Sequence, residues 1–401
     1  MPKKKAKATV YTEGMDTESV VAQLNKKYGE NSLIVARKAR GMLVRFFSTG
    51  CYALDFGMGG GIPENRITEF RGPYSSLKST LSLLSAANFQ RKYDDGVVFF
   101  VDMERTFDPD YADCLGVDLD RIIIVNPDSG EQAGDLIKEV LNYDKPTYVI
   151  IDSIAAMTPT AEIEGSMDNQ MMGVQARMIN RIMRTAVSAL KRSMYDPDTP
   201  TVTILCINQI REKIGVMFGN PETAPGGKGK EFAYSVMVRV SSTKSDAIIE
   251  KVVQNGITRQ IRYGQTLKFD VTKNKVSRSQ FDSGEVNFYS RSYKHFKANS
   301  FDNVTILFNY GVFYGIIETE SDNTKVYEDI SFKDASRFKK ALNKKPSLMS
   351  CLYNDIQVSM NTDAGVGEDE EDDEDEDEEE EETQTPRKND KKKSLTRKKK
   401  V

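Results

Sequence analysis

The chain has 401 residues, 39% apolar and 29% charged, enough to bury a sizeable core in two or three units at roughly 100–200 residues per domain. Its formal charge of −4 hides an asymmetry: residues 368–382 are fifteen consecutive acids, and residues 387–400 hold nine basic residues and one acid, so the last 34 residues carry −7 and the body before them +3. With no stretch of 18 apolar residues, no apolar segment behind the basic start, and a single histidine (His295), the composition argues against a membrane span, a secretory signal and histidine-based zinc or triad chemistry.

Residues 14–27 read as a short amphipathic helix, capped by Asp16 or Thr17 and carrying Val20, Val21 and Leu24 on one stripe. Residues 35–70 mix short strands with the glycine cluster Gly57, Gly59, Gly60 and Gly61. From 67 to 240 one unit repeats, an apolar strand followed by a turn and a helix-length segment. The predicted strands are 67–71, 97–102, 121–126, 148–152, 202–208 and 235–240, and the predicted helices 79–92, 109–115, 129–142 and 172–192. Strands rich in Val and Ile suit a sheet covered on both faces, so the fold class is α/β with a mostly parallel central sheet. Beyond Lys244 the pattern turns to strands at 248–253, 266–271 and 284–289. A smaller mixed unit follows, with strand-length segments 302–307 and 311–316 and a helix around 333–342. The acidic run repels itself and predicts disorder over 361–401. That tail is either a solubilising flag or a modulator competing with an acidic polymer for basic surface. Cys51, Cys114, Cys206 and Cys351 lack metal spacing and read as interior thiols of a reduced protein.

The strand ending at Arg71 runs into Gly72, Pro73, Tyr74, Ser75, Ser76, Leu77, Lys78, Ser79 and Thr80, then a helix. That is the architecture of a phosphate-binding loop, with backbone amides and a helix N-terminus for the phosphates, Lys78 for their charge and Ser79 for Mg2+. Leu77 stands where the motif GxxxxGK[ST] has its second glycine. A positive φ there costs leucine about 1–2 kcal/mol, whereas a helical φ costs it little. Asp152 ends the apolar strand 148–152 in the manner of a Walker B carboxylate that holds Mg2+ through water; the plain alternative is a helix cap. Glu104 follows strand 97–102 on the edge where open α/β sheets bind ligands, as a base to orient water or as an ordinary surface glutamate. Gln209 follows strand 202–208, as a neutral side chain to contact a γ-phosphate or as an ordinary surface polar residue. Three strand ends converging on one loop point to nucleotide hydrolysis.

Two segments, 162–173 and 212–228, are too rich in glycine and methionine for ordinary connections. Ile214, Val216, Met217 and Phe218 waste apolar surface unless they order on a partner. Arg177, Arg181 and Arg184 share a helix face, with Arg211, Lys213 and Lys228 nearby. Cations beside mobile apolar groups suit a phosphate backbone with separated bases; a protein-docking surface is the alternative.

From about residue 15 to 290 the sequence resembles the bacterial RecA recombinase family, most densely in GEQA at 130–133, IDSIAAMTPTAEIEG at 151–165 and INQIREKIGVMFGNPET at 207–223. The relaxed phosphate loop and unusual tail further resemble bacteriophage members. The resemblance implies a RecA-like P-loop ATPase core at 46–290, a flexible basic start at 1–13 and an oligomerisation segment at 14–45 that docks on the next protomer. A small mixed α/β C-terminal domain at 291–360 and the tail at 361–401 complete the chain. It implies ATP and Mg2+ as cofactors. As partners it implies single-stranded DNA, duplex DNA as the second strand source, and further copies in a helical filament, with mediator and single-strand-binding proteins, and as setting the bacterial or phage-infected cytoplasm.

By position, Glu104 matches the catalytic glutamate, Asp152 the Walker B carboxylate and Gln209 the γ-phosphate sensor. Asp108 and Tyr111 match the adenine-recognition and adenine-stacking positions. Lys273 and Lys275 match lysines that reach the neighbour's nucleotide, and Phe232 an aromatic that relays ATP state between subunits. DNA contacts carry over to Met172, Arg177, Asn180 and Arg184, then Arg211, Lys213, Ile214, Gly215, Val216, Met217, Phe218, Gly219 and Asn220, and Gly226, Gly227 and Lys228. A hexameric helicase of the same fold and a filament scaffold with little hydrolysis are the competing readings.

Overall fold

The computed structural model describes residues 16–29, 32–35, 44–165, 173–195, 199–212, 222–277, 281–321, 323–328, 330–333 and 335–363. The predicted tail at 361–401 lies outside them from residue 364 onward, as does the basic start at 1–13; the tail's first three residues are corrected from disorder to the end of a helix, Pro346–Asp363.

Strands β3 (Ile67–Gly72), β4 (Val97–Asp102), β5 (Ile122–Val125), β6 (Thr147–Asp152), β7 (Val202–Gln209) and β10 (Val236–Ser241) fall where the apolar runs predict them. They line up in the order β10-β3-β7-β6-β4-β5, every neighbouring pair parallel. All six residues of β6 are buried, as are the first seven of β7, because helices cover both faces and leave no position for a polar alternation. One apolar layer, with Leu81, Ala86 and Phe89, seats the helix Lys78–Lys92. The other, with Ile137, Ile179 and Met183, seats the helices Gly130–Val140 and Val174–Tyr195.

Beyond β10 the sheet continues antiparallel. Strand β12 (Ile257–Asn274) pairs with β10 and with β13 (Ser283–Tyr289); β13 pairs with β14 (Ser300–Phe301), and β11 (Ala247–Gln254) forms a hairpin with β12. The remaining strands are short: β1 (Phe46–Phe47) with β2 (Ile62–Pro63), β8 (Arg211–Glu212) with β9 (Glu222–Thr223), and β15 (Glu318–Thr319), β16 (Lys325–Tyr327) and β17 (Ile330–Phe332) in a three-stranded sheet.

The strand-length segments 302–307 and 311–316 are corrected to a single helix, Asn303–Phe313. Asp302 caps it by accepting from Thr305 N at 3.0 Å, and Val304, Leu307, Phe308 and Gly311 supply a helical face that an apolar run does not distinguish from a strand by itself. A further helix, Pro346–Asp363, was not anticipated. Leu352 and Ile356 from it pack with Phe338, Leu307 and Phe56 in a third core. Phe56 belongs to the helix Tyr52–Met58, and Tyr353 stacks on it at 5.3 Å. The interior assignment of the cysteines holds for Cys51 and Cys206 only; Cys114 and Cys351 are exposed, and all four are free.

The helix Thr17–Tyr28 is capped by Asp16, which accepts from Ser19 N at 2.7 Å. None of its residues is buried, and Val20, Val21 and Leu24 are only half-covered. No helix among the described residues is long and apolar enough to cross a membrane.

Candidate nucleotide site and nucleic-acid interface

Strand β3 delivers Gly72 beside β10 so closely that a Cβ there would lie 2.0 Å from the Val240 carbonyl oxygen. Only glycine fits, and the chain is released into the loop at that point. Leu77 has φ 64 and ψ 17, the left-handed conformation, and Ser75 also has positive φ at 60. The kink therefore forms with leucine in place of glycine. Leu77 lies half-buried against the core and recovers by packing part of what its backbone costs. No side chain caps the helix Lys78–Lys92, so its first amides are open to an anion.

Lys78 is buried and donates to Gly72 O at 3.1 Å, Pro73 O at 2.6 Å and Ser76 Oγ at 3.2 Å. Burial pulls its ammonium below the usual lysine range, and the charges of Asp152 and Glu104 pull it back. Ser79 Oγ donates to Asp152 Oδ2 at 2.6 Å. Burial raises the Asp152 carboxyl to about 6, with the Ser79 hydrogen bond opposing that rise and Glu104 and Asp102 adding to it. A hydroxyl and a carboxylate at one point are too few oxygens for a protein-only metal cage. They suit Mg2+, which completes its shell with water and substrate phosphate.

Glu104 receives two hydrogen bonds on one oxygen, from Ser153 Oγ at 2.6 Å and from Gln209 Nε2 at 2.7 Å. The ends of β4, β6 and β7 thus meet at one carboxylate beside the loop. A cavity of about 430 Å³ joins Lys78, Ser79, Glu104, Asp152 and Gln209 to Tyr74, and also to Arg262 and Gln265 from β12. Sequence reasoning missed Ser153, Arg262 and Gln265. Ser153 directly follows Asp152, a local signal; Arg262 and Gln265 have none, being almost 190 residues distant from the loop and brought in by the pairing of β12 with β10.

Asp108 caps the helix Pro109–Cys114 by accepting from Tyr111 N at 3.1 Å, and Tyr111 Oη lies 3.1 Å from Thr80 Oγ1. Tyr111 thus borders the loop's helix, and neither residue lines the cavity. Lys273 and Lys275 do not line it either. Lys273 donates to the Glu231 carbonyl, beside Phe232, whose side chain is 83% exposed. Behind this segment an ion pair is sealed from water: Lys230 Nζ lies 2.9 Å from Glu69 Oε1, and Asn208 Nδ2 donates to the same oxygen at 2.8 Å.

Arg177, Arg181 and Arg184 lie exposed along the helix Val174–Tyr195. Asn180 packs on the second segment's return, because a Cβ on Gly229 would lie 2.6 Å from its Oδ1. Gly226 is buried, Gly227 exposed, and Arg211 exposed on β8. Met172 and the residues Lys213, Ile214, Gly215, Val216, Met217, Phe218, Gly219 and Asn220 lie outside the described residues, as does the side chain of Lys228.

A family model described as the RecA N-terminal domain matches residues 16–291. Among curated proteins, Protein RecA of Mesomycoplasma hyopneumoniae is 37% identical over 262 residues, covering 65% of this chain and 72% of that one. Protein RecA of Mycoplasma mobile is 36% identical over 263 residues (65% and 74%), and that of Cereibacter sphaeroides 39% over 262 (65% and 71%). With the phosphate loop, the sheet order and this match in agreement, the chain belongs to the RecA family, ATP-dependent recombinases that act in homologous recombination and DNA repair.

Proposed function

We propose that this protein assembles as a helical filament on single-stranded DNA, with ATP held between subunits, and exchanges a homologous strand from duplex DNA. The observation that carries the ATPase part is the Glu104 carboxylate held between Ser153 and Gln209 beside the phosphate loop. Glu104 orients the attacking water and accepts its proton. Lys78 and the open amides of the loop hold the phosphates, and Gln209 reports whether the γ-phosphate is present. Ser79 directly, and Asp152 through water, would hold Mg2+, which supplies charge neutralisation at the phosphates.

Asp108 and Tyr111 receive the adenine. Lys273 and Lys275 reach a neighbouring subunit's nucleotide and Phe232 passes its state on; their place away from the same chain's cavity supports a role in trans. Arg177, Asn180, Arg184, Arg211 and the segment 212–228 with Met172 contact the DNA backbone and its separated bases. The uncovered helix Thr17–Tyr28 supports docking on the next protomer. Mediator and single-strand-binding proteins and a cytoplasmic setting complete the reading.

The test is electron microscopy on a defined single strand with a slowly hydrolysed ATP analogue. The expected outcome is a continuous right-handed filament that is absent without nucleotide. Discrete rings threaded by DNA would replace this reading with a hexameric helicase. Filaments without measurable hydrolysis would reduce the protein to a scaffold.

A further inference from the structure

We infer that Arg262 is a nucleotide-binding residue, holding the polyphosphate of the ligand from within the same subunit. This rests on the assignment of the cavity to ATP. Strand β12 is fastened to the phosphate loop at one point: the buried Gln265 donates through Nε2 to Ser75 O at 3.1 Å, at a residue whose φ is 60. Gln265 Oε1 in turn accepts from Arg262 Nη2, and Arg262 Nε donates to Gly264 O at 3.3 Å. Both acceptors are neutral, and among the described residues no carboxylate pairs with Arg262. A guanidinium has five N–H donors in a fixed fork. Two are used in locating it, which leaves three for a ligand in the cavity that it lines.

Charge gives the ligand's sign. Among the described residues lining the cavity the anions are Glu104 and Asp152, and the cations are Lys78 and Arg262. Without Arg262 the pocket's own side chains would present a net negative face to a polyanion wherever Mg2+ has not yet joined them, with the one lysine already turned onto loop carbonyls. With Arg262 the pocket is balanced, and a planar fork matches two phosphate oxygens where an ammonium supplies a point charge. The grip belongs to the isolated subunit and precedes whatever cations a neighbour adds on assembly.

The test is calorimetric titration of ATP and ADP, with Mg2+, into wild type, Arg262→Gln and Arg262→Lys, at low and high salt and without DNA. Glutamine can still donate to Gln265, so the loop's fastening survives while the charge is removed. Arg262→Gln is expected to weaken ATP about tenfold at low salt, the size of one hydrogen bond to a charged group. ADP should weaken less, the deficit should shrink as salt rises, and Arg262→Lys should fall between. Equal affinities at low salt would overturn the inference. So would a deficit that ignores salt and is the same for ATP and ADP, since that describes a contact to ribose or base. If wild type itself fails to bind ATP, the assignment of the cavity falls, and this inference with it. If wild type binds and Arg262→Gln binds equally, only the inference falls.

Discussion

Gln209 donates to Glu104 at 2.7 Å, so the residue assigned to the γ-phosphate and the residue assigned to water share a hydrogen bond before any ligand arrives. On the proposed assignment, a phosphate that draws the Gln209 amide toward itself would leave Glu104 held by Ser153 alone and so would couple sensing to the freeing of the base.

Replacing Glu104 with Gln keeps an acceptor for Ser153 and removes the proton-accepting charge. ATP turnover should fall by about 10²–10⁴, the usual worth of a positioned general base, with ATP affinity and nucleotide-dependent DNA binding retained. Single-turnover hydrolysis and filter binding check this. Loss of both activities would mean that Glu104 supports the fold instead.

Asp152 makes the pH dependence of the unliganded protein predictable in sign. Its carboxyl titrates near 6 in the folded chain, against an ordinary 3.8. The folded state therefore keeps a proton that the unfolded state gives up between those values. This contribution to stability is complete below pH 3.8 and is lost as pH rises through 6. The stability of wild type relative to Asp152→Asn should drop by up to about 3 kcal/mol from pH 4 to pH 7. Asp55, also raised to about 6 by burial, acts in the same direction and cancels in the difference. A flat difference in urea unfolding across that range would remove burial as the cause. Mg2+ and ATP should restore the loss above pH 6, because binding favours the carboxylate.

Much of this was legible in the sequence, for a physical reason. Strands buried on both faces are written as unbroken apolar runs, so β4, β6 and β7 announce themselves, and the polar residues that end the runs (Asp102 with Glu104, Asp152, Gln209) mark the sheet edge on which the cavity lies. The loop from Gly72 to Thr80 is contiguous and carries its own chemistry. What stayed hidden needs long-range geometry. Arg262 and Gln265 reach the loop only through the pairing of β12 with β10, and the Glu69–Lys230 pair joins residues 161 apart. The helix Asn303–Phe313 was hidden because its apolar residues run nearly continuously, and short apolar runs do not separate helix from strand. The conformation of Leu77 was posed by the sequence as two alternatives, and the backbone selects the costlier one.

Arg177 and Arg184 sit on the exposed face of their helix and each should meet one phosphate. Converting both to Ala should weaken single-strand binding across sequences alike. It should also lower the slope of log affinity against log salt by about 1.4, from about 0.7 per phosphate contact on single strands. Titrations at several salt concentrations measure that slope. An unchanged slope would move the DNA path off this helix.

Lys230 and Glu69 form an ion pair with side chains 1% and 0% exposed. Removing one partner strands the other charge in the interior, so Lys230→Met should cost about 3–5 kcal/mol. The double change Lys230→Met with Glu69→Gln leaves no stranded charge and should recover most of that loss. Urea unfolding of the three proteins settles the comparison. A Lys230→Met variant as stable as wild type would mean that water reaches Glu69.

Leu77 sets two effects of similar size against each other. Its left-handed backbone costs a residue with a Cβ about 1–2 kcal/mol. Its half-buried side chain, packed on the core, recovers about 1 kcal/mol, roughly half the value of a fully buried leucine. Leu77→Ala removes the packing and keeps the Cβ, so it should destabilise. Leu77→Gly removes both and should stay within about 1 kcal/mol of wild type. Glycine should therefore be more stable than alanine at the first step of a helix, the reverse of their order in a helix interior. Denaturant midpoints of the two variants decide it, and alanine at or above glycine would mean that Leu77 bears no backbone strain. Because the loop already has its left-handed turn, ATP affinity in Leu77→Gly should change by less than about threefold, under 1 kcal/mol.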